Sequence, residues 1–205
     1  MNTADRVNNR DNASSQMASP GKIGVIGSGA VGGTLARAVA AAGGAVVAIT
    51  APHQEHAHEV ASHIPGCRVV TTPEEVAAAA TLVILAVPDD AIVPLAARIP
   101  WSAGQRVFHL SGAIGTWALS AASERGAAVA ALHPLMTFTR ALAAAPIAEI
   151  RARLRGCVWA LETSDDALRG ELQEMVAALG GRVTLLTEDD RIPYHIAGVL
   201  ASNYV

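Results

Sequence analysis

The chain has 205 residues, of which 51% are hydrophobic and 16% are charged, and its formal net charge is -3 at pH 7. This composition is typical of a globular protein and excludes the disordered class. The negative charge argues against nucleic acid or an anionic membrane as a partner, and aromatic residues, which could stack on bases, make up only 3% of the chain.

The cellular compartment is indicated by what the sequence lacks. It has two distant cysteines, no apolar signal segment at its start and no apolar stretch long enough to span a bilayer. These features favour the cytoplasm. Residues 1–19 are rich in Asn, Asp, Arg and Ser, so we expect a disordered leader, with Met17 as an alternative start to Met1.

A glycine-rich loop follows the first apolar run, residues 23–26, and precedes a helix predicted over Thr34–Ala42. The loop has the G-x-G-x-x-G spacing and reads Gly27, Ser28, Gly29, Ala30, Val31, Gly32. In a dinucleotide site Gly27 permits the tight turn, Gly29 lets a pyrophosphate approach the backbone, and Gly32 lets the helix pack on the strand. The N–H groups and dipole of the following helix favour phosphate. The sequence therefore predicts a dinucleotide site here.

Apolar runs and helical segments alternate along the rest of the chain. The further predicted strands are Ala45–Ile49, Arg68–Val70, Leu82–Val87, Arg106–Leu110, Ala127–Leu132, Cys157–Leu161 and Arg182–Leu186. This alternation predicts an α/β fold with a doubly wound parallel sheet and right-handed crossovers. We assign residues 20–187 to this dinucleotide-binding domain. Residues 188–205, with a new helix from Tyr194, are expected to begin a helical C-terminal domain that is truncated here.

Helix starts are marked by local capping patterns. Thr72, Pro73 and Glu75 match an N-cap, a first helical position and a capping box. Asp89 and Asp90 are better explained as N-caps of the next helix than as catalytic acids.

Three predicted strands end in polar or rigid residues: Pro88 with Asp89 and Asp90, Ser111 with Gly112, and His133 with Pro134. Ligands of open parallel sheets bind outside the carboxyl ends of the strands, so we expect these residues at the edge that carries the glycine loop. A nicotinamide bound there would meet Ser111 and His133. His133 is the candidate general acid or base, and Ser111 the partner of the substrate oxygen or of the nicotinamide carboxamide. The alternatives are a histidine bonded to backbone and a serine that stabilises a turn.

Other reactive residues favour structural explanations. Lys22 is the only lysine and lies away from the expected ligand edge, which argues against Schiff-base chemistry. Cys67 and Cys157 are expected to be buried apolar residues, and His109 a bonded core residue. A metal site is not predicted, because no cysteine accompanies the histidine-rich segment of His53, His56, His58 and His63.

Several motifs together resemble one family. They are Gly27–Gly32, Ala86–Ile92, His109–Ala113, His133–Phe138, Tyr194–His195 and Ser202–Tyr204. In this order they resemble a bacterial family of oxidoreductases in the 6-phosphogluconate dehydrogenase-like superfamily. That family joins a Rossmann-like NADP-binding domain to a C-terminal helical domain of unknown function.

The resemblance implies site residues and a partner. Ser111 and His133 look like the serine and His-Pro that line the substrate site of prephenate dehydrogenases, and His195 stands where related enzymes place a polar catalytic residue. Val87, Pro88 and Asp89 are expected to border the cofactor with the glycine loop. Related enzymes dimerise through the helical domain, so a homodimer is expected for a full-length form.

The end of the second strand bears on the choice of cofactor. It lacks the acid that NAD enzymes place there and also the arginine frequent in NADP enzymes. The missing acid and the resemblance favour NADP over NAD, with Thr50 and His53 receiving the 2′-phosphate. The predicted function is an NADP-dependent reductase or dehydrogenase acting on a small carbonyl or imine compound such as a 2-keto acid. The alternatives are a non-catalytic NAD(P)-binding sensor and an inactive truncated fragment.

Overall fold

A computed structural model describes residues 21–187, 190 and 193–194, and their centre is an eight-stranded sheet. The strands are β1 Lys22–Ile26, β2 Ala45–Thr50, β3 Arg68–Val69, β4 Leu82–Leu85, β5 Arg106–His109, β6 Ala128–Pro134, β7 Val158–Glu162 and β8 Arg182–Leu185. The helices are α1 Ala30–Ala41, α2 Gln54–Ser62, α3 Pro73–Ala79, α4 Asp89–Arg98, α5 Ser120–Ser123, α6 Arg140–Ala144, α7 Ile147–Leu154 and α8 Asp166–Ala178. A 3-10 turn, Thr116–Leu119, leads directly into α5.

The sheet confirms the predicted doubly wound order over its first six strands. Its order is β3-β2-β1-β4-β5-β6-β7-β8, and the strands from β3 to β6 are parallel. The expectation of a wholly parallel sheet is wrong for the last two strands. β7 runs antiparallel to β6, with Pro134 opposite Trp159, and β8 is parallel to β7.

The connection between β6 and β7 explains this reversal. A parallel crossover must carry the chain back to the starting edge of the sheet, usually along one helix. Here residues 135–157 contain two short helices, α6 of 5 residues and α7 of 8. The chain re-enters the sheet beside the end of β6, where the Leu135 N–H donates to the Val158 carbonyl at 2.8 Å. The next strand therefore has to run in the opposite direction.

The two faces of the sheet carry separate cores. One includes side chains of α1, α2, α6, α7 and α8, among them Leu35, Val60, Leu142, Ile150 and Leu172. The other includes side chains of α3, α4 and α5, among them Val76, Ile92 and Ala122. All four residues of β4 are buried because both faces of this central strand are covered.

Local predictions agree with the structure at most helix starts. The Thr72 side chain accepts from the Glu75 N–H at 3.2 Å and Glu75 bonds back to Thr72, which confirms the capping box. These backbone hydrogen bonds from residues 71 and 72 hold the pKa of Glu75 below its ordinary value. The N-cap role given to Asp89 and Asp90 is wrong, since Pro88 occupies the N-cap position and both aspartates lie in the first turn of α4.

Some features fall outside the prediction or outside the described residues. β6 continues through His133 and Pro134, which were expected to follow the strand. Residues 1–19 and His195 lie outside the described residues, and so does the helix predicted from Tyr194, apart from residues 193 and 194, which are helical. The domain boundary at residues 187 and 188 stays a prediction. In the described part of the chain, no helix combines the length and apolarity needed to cross a membrane.

Candidate functional site

The carboxyl ends of β1, β4 and β5 and the last residues of β6 share one edge of the sheet. The register pairs Ile26 with Leu85 and Leu85 with His109, so the loops after these strands begin side by side. The expected gathering of strand ends is therefore present. It places the glycine loop, the segment from Val87 to Asp89 and the loop from Ser111 along one edge.

Backbone contacts give the glycine loop its shape. Gly27 has φ +102° and its N–H donates to the Thr50 carbonyl at 2.8 Å. A β-carbon at Gly27 would lie 2.2 Å from the Ala86 carbonyl oxygen, and one at Gly32 would lie 2.0 Å from the Gly27 carbonyl oxygen. Only glycine fits at these two positions. The tight turn and the close helix–strand packing predicted for them are confirmed.

Gly29 differs from its neighbours because nothing lies in front of it. A β-carbon built there would meet no atom within 4 Å, and Gly29 is the exposed N-cap of α1. The first N–H groups of α1, on Ala30 and Val31, have no intrahelical acceptors by the geometry of any helix start. Open backbone and unbonded donors are what a pyrophosphate requires.

Ser28 adds a buried polar atom to this loop. Its side chain is 6% exposed, and its Oγ lacks a hydrogen-bond partner among the described residues. Leaving a buried hydroxyl without a partner is costly, so an orphaned Oγ points to a polar ligand that supplies one. The loop therefore fits a phosphate-bearing ligand in backbone shape and in donor chemistry.

Ser111 lies buried at the end of β5 and stabilises the loop that follows it. Its Oγ accepts from the Ala113 N–H at 3.2 Å and from the Ile114 N–H at 3.1 Å. The turn explanation of this serine is thus correct. Both bonds use the oxygen as an acceptor, and the hydroxyl proton takes no part in them.

His109 has the structural role expected of it. It is fully buried, its Nδ1 accepts from the Ser111 N–H at 3.2 Å, and its Nε2 lies 3.1 Å from the Gly115 carbonyl. An accepting Nδ1 and a carbonyl opposite Nε2 assign the neutral tautomer with its proton on Nε2. His109 therefore fixes both ends of the loop that carries Ser111.

Glu162 supports the same loop and was missed by the sequence analysis. It ends β7, is 8% exposed, and its Oε1 accepts from the Thr116 N–H at 2.9 Å and the Thr116 hydroxyl at 2.8 Å. In the sheet it lies beside Ala131, which in turn pairs with His109. The sequence signal for this role was an acidic residue directly after the apolar run of β7. Its partner, Thr116, lies 46 positions earlier in the chain.

His133 lies against two other residues of the site. A β-carbon at Gly112 would be 2.9 Å from His133 Nε2, so the loop after Ser111 packs directly on the imidazole. On the other ring nitrogen, Nδ1 lies 2.8 Å from the Tyr194 hydroxyl, and the two rings meet edge to face at 5.7 Å. The structure thus packs Gly112, the residue after Ser111, against His133 and adds Tyr194.

The end of β2, where Thr50 and His53 were predicted to contact a 2′-phosphate, has fewer features of a binding site. Thr50 is buried beneath the glycine loop, whereas His53 is exposed and lies 3.6 Å from Glu55. The next histidine, His56, accepts a hydrogen bond at 2.8 Å from Arg140, which begins α6. The predicted contacts of Thr50 and His53 with a 2′-phosphate stay predictions.

Thiols and histidines give no sign of nucleophilic or metal chemistry in the described residues. Burial raises the pKa of Cys67 and of Cys157 to about 11, so both thiols are protonated at neutral pH. No group of three or more histidine, cysteine or acidic residues suited to a metal is found in this part of the chain.

Another cavity, of about 630 Å³, lies at the opposite edge of the sheet, beside Arg106 at the start of β5 and Glu171 on α8. These two side chains form an ion pair at 2.8 Å. Burial raises the pKa of Glu171, and the nearby Arg106 offsets part of this shift. Open parallel sheets bind ligands outside the carboxyl ends of their strands and not at the strand starts. We therefore place the candidate site at the edge with the glycine loop, despite the size of this cavity.

The fold is that of a doubly wound α/β protein. A family model of the Rossmann-like domain matches residues 7–134, and the model of a domain of unknown function, DUF2520, matches residues 157–205. The chain belongs to the Rossmann-like domain family. Comparison with curated protein sequences finds no match.

Solved structures share the fold at low identity. A protein of Bacteroides fragilis assigned as an NADP oxidoreductase is 21% identical with a TM-score of 0.75, over 90% of this chain and 67% of that one. A reductive aminase from Aspergillus terreus in complex with NADPH and ethyl-5-oxohexanoate is 20% identical with a TM-score of 0.63, over 90% and 61%.

A third structure is the pyrroline carboxylate reductase of Plasmodium falciparum with NADP bound. It is 13% identical with a TM-score of 0.65, over 91% of this chain and 65% of that one. The chain thus spans about two thirds of the length of the structures that it resembles.

Proposed function

We propose that the chain is an NADP-dependent oxidoreductase that transfers hydride between nicotinamide and a small carbonyl or imine substrate. The observation that carries the proposal is the position of His133. Its ring lies between Gly112 and Tyr194, at the edge of the sheet that also bears the open backbone at Gly29. A phosphate-binding loop and a proton donor at one edge are the two parts that such an enzyme has to supply.

The glycine loop binds the pyrophosphate in this proposal. The open face of Gly29 receives it, and the N–H groups of Ala30, Val31 and Gly32 point toward it with the positive end of the α1 dipole. Val87, Pro88 and Asp89, after β4, border the cofactor on the neighbouring side. NADPH, when bound, supplies the hydride.

His133 acts as the general acid. Reduction of a carbonyl or imine builds charge that requires a proton, and a histidine can give one near neutral pH. The general acid is the protonated imidazole, whose two ring nitrogens both carry protons, so Nδ1–H donates to the Tyr194 hydroxyl oxygen and Nε2–H is the proton that passes to the substrate. Tyr194 therefore holds the ring in the orientation in which His133 can protonate the substrate.

Two further residues complete the site. Ser111 hydrogen-bonds the substrate oxygen or the nicotinamide carboxamide through its hydroxyl proton. His195, which follows Tyr194 in the sequence and lies outside the described residues, is the second polar group of the proposal. In the oxidative direction His133 is the base that removes the same proton.

The preference for NADP is part of this proposal. It is supported by the missing acid after β2 and by the reductive aminase structure in complex with NADPH and the pyrroline carboxylate reductase structure with NADP bound. The small carbonyl or imine substrate follows the same relatives. A cytoplasmic location is supported by two free cysteines, and a homodimer through the helical domain remains part of the proposal for a full-length form.

The test is NADPH oxidation followed at 340 nm with a panel of 2-keto acids, and of the same keto acids with ammonia or primary amines. We expect turnover with at least one member and slower turnover with NADH. Tight NADPH binding without turnover across the panel would support the non-catalytic sensor instead. Binding of neither nucleotide would overturn the proposal.

A further inference from the structure

A groove separate from the nicotinamide end lies on the far side of the glycine loop. It is a cavity of about 330 Å³ between the start of α1, the α2 helix and the α6 helix. Ser28 and Gly29 form its wall on the loop side, His56 and Glu59 on α2, and Arg140 on α6. The groove is therefore continuous with the backbone that we assign to the pyrophosphate.

The hydroxyl of Ser28 lines this groove. Its Oγ is buried and without a hydrogen-bond partner among the described residues, as noted above. A hydroxyl is both a donor and an acceptor, and a buried one is normally satisfied. An acceptor-rich ligand in the groove would satisfy it.

Arg140 brings a positive charge to the opposite wall. The guanidinium is always protonated and only donates, so the His56 Nε2 at 2.8 Å accepts from it. This bond uses one N–H of a planar fork whose other N–H groups suit phosphate oxygens. The bond to His56 also orients the arginine before any ligand arrives.

Arg37 fixes the helix that carries Arg140. It lies buried on α1, and its guanidinium donates to the Ala143 carbonyl on α6. Burial lowers the pKa of Arg37, and the charge of nearby Glu59 opposes this shift. The negative charge of Glu59, which also lines the groove, is therefore offset by Arg37. Arg140 therefore supplies the positive charge on the α6 wall of the groove.

We propose that this groove binds the 2′-phosphate of NADPH, with Arg140 as its charged ligand and Ser28 and His56 as hydrogen-bonding partners. The inference rests on the proposed function and deepens it. The chain has no arginine after β2, where NADP enzymes often carry one. In this proposal Arg140 on α6 takes that role and lets the chain discriminate NADPH from NADH. The proposal also moves the phosphate away from His53, which does not line the groove and lies beside Glu55.

The test is the dissociation constant of NADPH and of NADH, measured by titration calorimetry for the wild type and variants. Arg140→Ala should weaken NADPH at least tenfold and NADH less than twofold, since charge-assisted hydrogen bonds to the phosphate are lost. Ser28→Ala should weaken NADPH severalfold. Arg153→Ala, an exposed arginine on α7, is the matched control and should change neither constant.

A second probe removes the nicotinamide half. In the wild type, 2′,5′-ADP should compete with NADPH far better than 5′-AMP, and Arg140→Ala should abolish most of that difference. Equal effects of Arg140→Ala on NADPH and NADH, or no effect on either, would overturn the inference alone. A larger loss of selectivity in His53→Gln than in Arg140→Ala would do the same and return the phosphate to the end of β2. A wild type that binds neither dinucleotide would overturn the proposed function itself.

Discussion

The two halves of the binding edge are built in different ways. The glycine-loop half is contiguous in sequence, and its shape comes from backbone contacts among Gly27, Gly32 and Ala86. The His133 half collects side chains from distant positions, since Tyr194 lies 61 positions after His133 and Glu162 lies 46 positions after Thr116. A site of the first kind is set by local residue identity. A site of the second kind is set by long-range packing. We therefore expect a substitution in one half of the edge to impair that half and to leave the other half working.

The largest expected effect is at His133. His133→Gln removes the proposed general acid, so turnover should fall by about a hundred- to ten-thousandfold. NADPH binding should change little, because the glycine loop is intact. The measurement is kcat with the best substrate of the panel, together with the dissociation constant of NADPH. His58→Gln, an exposed histidine on α2, serves as the matched control. Equal kcat in wild type and His133→Gln would remove His133 from the mechanism.

At Gly29 we expect the opposite of the His133 result, namely weaker NADPH binding. Gly29→Ala places a methyl group in open space, so folding should be preserved while the approach of the pyrophosphate is blocked. Displacing the pyrophosphate weakens its hydrogen bonds with the backbone, and a hydrogen bond to a charged group is worth about 1.5–3 kcal/mol, so NADPH binding should weaken by about tenfold to a hundredfold.

Thermal unfolding checks that Gly29→Ala is folded. The control is Gly170→Ala in α8, where a β-carbon also meets nothing within 4 Å. It should leave NADPH binding unchanged. Unaltered NADPH affinity in Gly29→Ala would show that the open face is not the pyrophosphate site.

Tyr194 contacts His133, the proposed proton donor. Tyr194→Phe removes one hydrogen bond to His133, which is worth about 0.5–1.5 kcal/mol, so kcat should fall between about twofold and tenfold. In the double variant with His133→Gln, the tyrosine change should have no further effect. Fully additive losses would contradict coupling between these two side chains.

Glu162 tests the support of the Ser111 loop. Glu162→Ala leaves the N–H and hydroxyl of Thr116 without their acceptor, which should cost about 1–3 kcal/mol in the free energy of unfolding. Urea unfolding measures this loss. Glu174→Ala, an exposed acid on α8, should cost far less. A Glu162→Ala variant as stable as the wild type would contradict the support assigned to Glu162.

The same difference between contiguous and dispersed residues separates the features that could be predicted from the sequence from those that could not. The turn at Gly27, the capping box at Thr72 and the alternation of strands and helices that predicts a doubly wound sheet follow from contiguous patterns, and the structure confirms them. The antiparallel β7 was not predicted, because its direction depends on how two short helices return the chain to the sheet. The Glu162, Tyr194 and Arg140 contacts likewise join residues far apart in sequence, and no local pattern encodes them.

The central claim is that one edge of the sheet holds NADPH between the glycine loop and His133. Its most direct test is a calorimetric titration of NADPH into the wild-type chain and into Gly29→Ala. The account predicts one saturable site per chain in the wild type and binding that is about tenfold to a hundredfold weaker in Gly29→Ala. No saturable heat from NADPH in the wild type, or equal affinity in both proteins, would contradict it.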